Sequence, residues 1–274
     1  MPGGFPIGPE LCNAQSFNAN IGAFSNGYTT VPTPSATANT KGSWSSIGTT
    51  TYDCVAATVQ MYLNETGGAT TLSYAFDIGI GGGGSQVVLV NNLLLSVAAQ
   101  YNQFGAVYHI PLSIPGGTQF WMRSQCNVAS GTAQGGASFI LWDGAQTNVE
   151  GAAGIDSIGF STATTLGAAV AAGNGSKGSY AQLTAATTRD YSALAVYVDP
   201  QITNGGGGFY VDIAIGGSGS EVVIIPNLFI WLSPINNSQF FQIYVPSGTR
   251  IAARASSLNN ATFTVGVTVY GVYL

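Results

Sequence analysis

Apolar and polar positions along this chain alternate in short stretches, not in long helical stripes. FDIGI at 76–80 and VDIAI at 211–215 put every second residue on one face, the period of a half-buried strand. TVQMYL at 58–63 and ALAVYV at 193–198 are short segments rich in β-formers. QVVLV at 86–90 and EVVII at 221–225 are apolar runs that follow Gly-rich turns. Residues 104–114 and 240–245 read as strands ending in turns that contain Pro and Gly, and 120–125 and 251–255 follow at once. FILW at 139–142 and the stretch 263–270 close the two series. The pattern predicts roughly eight strands in each half, at the spacing of an antiparallel sandwich. No segment carries a long helical period. One short helical turn is predicted near 93–99.

The two series are copies of one unit. FDIGIGGGGSQVVLVNNL at 76–93 matches VDIAIGGSGSEVVIIPNL at 211–228 without a gap, at an offset of 135. KGSW at 41–44 matches KGSY at 177–180 at an offset of 136, and IPGGTQFWMR at 114–123 matches VPSGTRIAAR at 245–254 at 131. The drift places short insertions and deletions in loops. A period this long exceeds solenoid repeats and fits one small domain per copy. The expected fold is therefore all-β: two tandem antiparallel β-sandwich domains, jelly-roll-like, from an internal duplication. The expected organisation is an irregular Pro- and Gly-rich arm over 1–27, a first unit over 28–144, a small-residue connector over 145–162 and a second unit over 163–274. The arm, with no counterpart before the second unit, reads either as an attachment segment or as a disordered tail.

Composition narrows the function classes. Charged residues are 6% of the chain and apolar residues 46%, against about 25% charged in ordinary soluble domains. The surface must be built from Ser, Thr, Asn, Gln and Gly. Such a surface suits faces buried in an assembly, or an extracellular setting. The net charge of −5 comes with no basic patch, which disfavours nucleic-acid binding through phosphates. The longest apolar runs are interrupted and too short to span a bilayer, so no membrane insertion is expected. No basic run precedes an apolar stretch at the N-terminus, so no secretory signal peptide is expected. Cys12, Cys54 and Cys126 are odd in number and confined to the first unit, which favours buried thiols over a disulfide framework. The Asn-X-Ser/Thr matches are expected by chance in a chain this rich in those residues.

Candidate chemistry is sparse, and the repeat filters it. The Gly-rich segments lack the Lys-Ser/Thr and following helix of a phosphate loop, and read as hairpin turns that need positive φ. His109, the single histidine, has no counterpart in the second copy and no local support for a Ser-His-Asp site. No His/Cys cluster has metal-ligand spacing, and no cofactor is expected. Two charges do recur: Asp77 with Asp212, and Arg123 with Arg254. Each alternates with apolar neighbours, so each is expected off the main core. Asp77 is expected to pair with Arg123 and Asp212 with Arg254, as bidentate pairs that fix strand order or a subunit contact. One carboxylate with one Arg lacks the second acid of glycoside hydrolysis, so no enzymatic activity is expected. Trp44 and Trp142 fall on aligned aromatic positions and read as core anchors. Trp121 and Trp231 are specific to one copy, which makes them the candidates for an interface or a glycan contact.

With the repeat assembled, KGSW at 41–44, residues 77–85, 114–123, 177–180, 212–220, 245–254 and the Tyr-Gly at 270–271 resemble tandem jelly-roll-like surface proteins of tailed phages and related particles: head spikes, fibres or decoration subunits. The resemblance implies a structural virion surface protein, made in the host bacterial cytoplasm. It implies a homo-oligomer, with a trimer as the expected state, contacting other virion proteins through residues 1–27. A second function class stays open beside it: a carbohydrate-binding module that adheres to host surface glycans.

Overall fold

The structure is a computed structural model that describes residues 14–17, 32, 34–51, 53–64, 72–97, 103–129, 134–143, 153–199, 207–231, 235–258 and 263–274. The described residues are all-β. The first half holds β1 (Ala14–Phe17), β2 (Ser45–Thr49), β3 (Cys54–Asn64), β4 (Leu72–Ile80), β5 (Val87–Val97), β6 (Gln103–Ile110), β7 (Gln119–Cys126) and β8 (Gln134–Asp143). The second half holds β9 (Gly154–Ile158), β10 (Ala168–Asn174), β11 (Ala181–Thr184), β12 (Ala193–Asp199), β13 (Gly208–Ile215), β14 (Val222–Trp231), β15 (Ile235–Asn237), β16 (Gln239–Phe241), β17 (Ile251–Ser257) and β18 (Phe263–Tyr273).

The same local pairing occurs in both halves. The middle strand β4 lies antiparallel between β5 and β7, as β13 lies between β14 and β17. The strand β3 lies antiparallel between β6 and β8, as β12 lies between β16 and β18. Gly81 and Gly84 in the first hairpin turn, and Gly216 and Gly219 in the second, hold φ values between 83° and 115°. A side chain rarely adopts such values, so both turns require glycine where the sequence places it.

The strands do not separate into sheets by half. A five-stranded sheet runs β1-β8-β3-β6-β15, with β15 of the second half parallel to β6. A thirteen-stranded sheet runs β14-β13-β17-β10-β18-β9-β5-β4-β7-β2, with β11, β12 and β16 attached off that path. It crosses between the halves where Val90 of β5 bridges Ile155 of β9 in parallel. One core lies between the strands of the first half and includes Ala195, Tyr197, Tyr270 and Val272 from the second. A second core, around Val196, Phe209, Ile213 and Val267, is built from the second half alone.

Three expectations change here. Residues 93–97 belong to β5 and form no helical turn. An unbroken Leu93-Leu94-Leu95 run has no periodicity to distinguish helix from strand, and hydrogen bonding to β4 decides for strand. Within the arm, residues 14–17 form β1, antiparallel to β8; the rest of residues 1–27, Cys12 included, lies outside the described residues. Within the connector, residues 154–158 form β9, antiparallel to β18. β1 and β9 hold the same place: Phe17 faces Phe139 and Ser157 faces Tyr270. The one described strand of the arm therefore has a counterpart in the strand of the connector.

Candidate functional site

The two hairpins break register at the same step. Phe76 faces Leu93 and Ile78 faces Val90, so Asn91 and Asn92 together oppose Asp77. Val211 faces Leu228 and Ile213 faces Ile225, so Pro226 and Asn227 oppose Asp212. Each is a β-bulge, with the extra residue outside the ladder. The bulged asparagines sit at φ 53° (Asn92) and 50° (Asn227), the left-handed region that Asn tolerates better than most residues. Their backbone N–H groups, turned out of the ladder, donate to the aspartate Oδ1 atoms at 3.0 Å and 2.8 Å.

Each aspartate is buried, at 2% exposure for Asp77 and 3% for Asp212. An unpaired carboxylate there would cost several kcal/mol in lost hydration. Two cations offset that cost in each half. Lys41 Nζ lies 2.7 Å from Asp77 Oδ1 and Arg123 Nε lies 2.8 Å from Oδ2. Lys177 Nζ lies 2.7 Å from Asp212 Oδ1 and Arg254 Nε lies 2.9 Å from Oδ2. The arginines then stack on the aligned aromatics, Arg123 at 4.4 Å from the Trp44 ring and Arg254 at 4.7 Å from Tyr180.

Each site is thus a clamp. It ties the coil before the sheet, the bulge of the hairpin and the neighbouring strand to one carboxylate. Burial pushes the Asp212 carboxyl upward, but donation from Lys177, Asn227 and Arg254 outweighs it and holds the group below the ordinary carboxylate range. Burial lowers the Lys41 ammonium, and the Asp77 charge opposes that drop.

The structure brings Asp77 to Arg123 and Asp212 to Arg254. The contact is not bidentate: each arginine uses Nε on one oxygen, because a lysine and a backbone N–H hold the other. The aspartates' expected place off the main core does not mean exposure. They are buried, and their cations cover them.

Sequence reading missed the lysines' role and the asparagines. The usable signal was the 15-residue spacing from each Asp to a positive-φ Asn, identical in both halves. It also missed a second repeated device. Thr50 Oγ1 donates to Pro115 O and accepts from Thr118 N, while Asp53 Oδ1 accepts from Gly116 N. Thr187 does the same with Pro246 and Thr249, and Asp190 with Ser247.

Trp121 is not a free platform. Its Nε1 donates to Gly81 O at 2.6 Å, and its ring lies over Gly83. In the second half Arg250 Nη1 reaches the matching carbonyl of Gly216 at 3.0 Å. Different side chains serve one turn, which is why an alignment by residue type marks Trp121 as unique. Trp231 is 58% exposed, beside Phe229 at 44%, with ring centroids 6.3 Å apart. His109 is exposed, its Nδ1 3.0 Å from Thr58 Oγ1. The side chain of Trp142 lies outside the described residues. Among the described residues no group of three His, Cys, Asp or Glu side chains is placed to hold a metal ion.

No protein family matches this chain, and no curated protein does. Solved structures do resemble it. The N-terminal CBM22-1-CBM22-2 tandem domain of Paenibacillus barcinonensis Xyn10C is 12% identical and covers 96% of this chain and 97% of its own, at a TM-score of 0.30. A chain of Broad Bean Stain Virus is 9% identical over 97% of this chain and 94% of its own, at 0.38. PNGF-II is 8% identical over 90% of this chain and 59% of its own, at 0.39.

Proposed function

We propose that this chain is a structural component of a virion surface, of the head-decoration, spike or fibre kind, built from two tandem β-sandwich units that arose by duplication. One observation carries the reading: all six Lys and Arg residues of the chain are held in ion pairs within it. No cationic side chain is left over to select an anionic ligand or to stabilise a developing negative charge. The charges brace hairpins, and the clamp carboxylates have both oxygens engaged. The remaining exterior is mostly uncharged and polar, with exposed acids such as Asp53 and Asp190 and a few exposed aromatics, a surface suited to lie against other protein in a shell. The protein is then made in a bacterial host cytoplasm, and it acts by shape and packing, without a cofactor and without turnover. Its partners are itself, as a homo-oligomer, and other virion proteins met through residues 1–27.

The test is location. Antibody against the chain should label purified particles in electron micrographs, and the chain should copurify with them at fixed stoichiometry. Recovery only in the soluble fraction would sink the reading. The exposed pair Phe229 and Trp231 favours a second reading, adhesion to neutral host glycans by ring stacking. A glycan array on which binding appears, and is lost in Trp231→Ala, would establish it.

A further inference from the structure

Inside the chain, the two halves meet at a specific junction. The outer edge of β5 runs beside β9. Asn91 Oδ1 accepts from Ser157 N at 2.7 Å, and Asn92 Nδ2 donates to Ser157 Oγ at 3.0 Å. Tyr270 Oη donates to Asn92 O at 2.8 Å and accepts from Leu94 N at 3.0 Å. The Tyr108 ring packs edge-on against Tyr270 and stacks on Tyr197.

Both partners in that junction have a counterpart whose outer edge pairs with no strand among the described residues. β14 stands where β5 stands: each is the outer strand of its hairpin and carries the bulge that its aspartate holds. β1 stands where β9 stands, antiparallel to the last strand of its half. Each ends its sheet: β14 the thirteen-stranded one and β1 the five-stranded one. Leu94, covered by the second half, is 0% exposed, while its match Phe229 is 44% exposed and the nearby Trp231 58%. The chain therefore contains the junction once closed and, among the described residues, once as two unpaired halves at the ends of two different sheets.

We propose that a second copy of this chain fills the gap: the β14 edge of one molecule docks on β1 and the β3–β8 sheet of the next, repeating between chains the β5–β9 junction within them. This rests on the two-unit reading and names the partner surface. The contact is heterologous, so repetition closes a ring or extends a filament. Pro226 replaces Asn91 at this edge, removing one N–H and the side-chain amide that seats Ser157. The interchain copy is therefore held by Phe229 and Trp231 more than by hydrogen bonds. A proline on an edge also discourages indiscriminate strand addition.

Solution mass measured against protein concentration tests this with the full chain. The expected result is association above the 28.0 kDa monomer. Phe229→Ser with Trp231→Ser should weaken it about tenfold or more while leaving the melting temperature nearly unchanged. Successive strand N–H groups point to opposite edges, so one of Gln15→Pro and Ser16→Pro sets the proline ring on the outward edge of β1, where it blocks the approach of β14 and should also prevent association. Mixing that variant with the β14 variant should restore dimers and no larger species, because each retains one intact end. Three results would overturn the proposal: a monomer at every concentration, association that survives the β14 variant, or failure of the mixture to form dimers. Glycan binding lost in the β14 variant without any association would assign the aromatics to a sugar instead. None of these outcomes bears on whether particles carry the chain, which the labelling experiment decides separately.

Discussion

Leu94 and Phe229 occupy the same step of two hairpins built alike, yet one is sealed and the other faces solvent. Both hairpins turn on positive-φ glycines, bulge opposite an aspartate and seat an asparagine on its carboxylate. The difference lies in what covers them. β5 is overlaid by Tyr270 and flanked by β9, and β14 has neither neighbour among the described residues. The clamp belongs to the hairpin itself, whereas burial of its outer strand depends on a neighbour. Stability within a hairpin and recognition along its edge are thus assigned to separate residues of one short segment.

The largest effect should come from breaking what the hairpins share. Asp77→Asn and Asp212→Asn each leave two cations facing a neutral group, and each should cost about 3–5 kcal/mol in urea unfolding. A large loss in one and none in the other would break the equivalence of the clamps. In a cycle with Arg254→Gln, Asp212→Asn should be clearly non-additive; full additivity would remove the pairing from the account. Next comes what the hairpins do not share. Tyr270→Phe deprives Asn92 O and Leu94 N of their partner inside the junction, and should cost about 1–3 kcal/mol.

A smaller effect separates the two turn caps. Trp121→Phe should cost about 1 kcal/mol, insensitive to salt. Arg250→Met should lose a stabilisation that added salt already weakens in the parent protein. Equal salt dependence in both would contradict the exchange of donors at Gly81 and Gly216.

The most gradual effect is in pH. Asp212 is held below its ordinary range, so its contribution is complete above about pH 4 and is lost as pH falls through the folded value. At the alkaline end, burial pushes the Tyr191 hydroxyl up to about 12 and raises those of Tyr108 and Tyr270 as well. The unfolded chain then ionises first, from about pH 10, and stability should fall as pH rises beyond that point. A Tyr108→Phe or Tyr270→Phe variant that loses tyrosinate absorbance below the unfolding transition would contradict the burial of these rings.

Much of this was legible in the sequence. Alternation at 76–80 and 211–215 marked β4 and β13. The rarity of charge drew attention to Asp77, Arg123, Asp212 and Arg254, because a residue type scarcely used yet present at matching positions of both halves must meet a local need. The lysines were harder to assign, since each lies in coil 35 or 36 positions from its aspartate. β1 was hidden because only Phe17 of its four residues favours a strand; pairing with β8 makes it one. The junction was illegible for a related reason. Leu94 reads as ordinary core and Tyr270 as an ordinary anchor, and the hydrogen bond between them spans 176 positions. Local pattern reports which face is apolar and does not report which distant surface will cover it.

The placement of β1 on β8, and of β9 on β18, governs how the chain can mature during synthesis. In each half the earliest strand waits for the latest, so neither layer is complete until its final segment has left the ribosome. β5 waits longer still, because Tyr270 follows Leu94 by 176 positions. Until then Leu94 and its neighbours remain uncovered. A nascent first half therefore displays transiently the same kind of apolar edge that the finished molecule keeps on β14, and chains made close together on one message are at risk of joining before each has closed on itself.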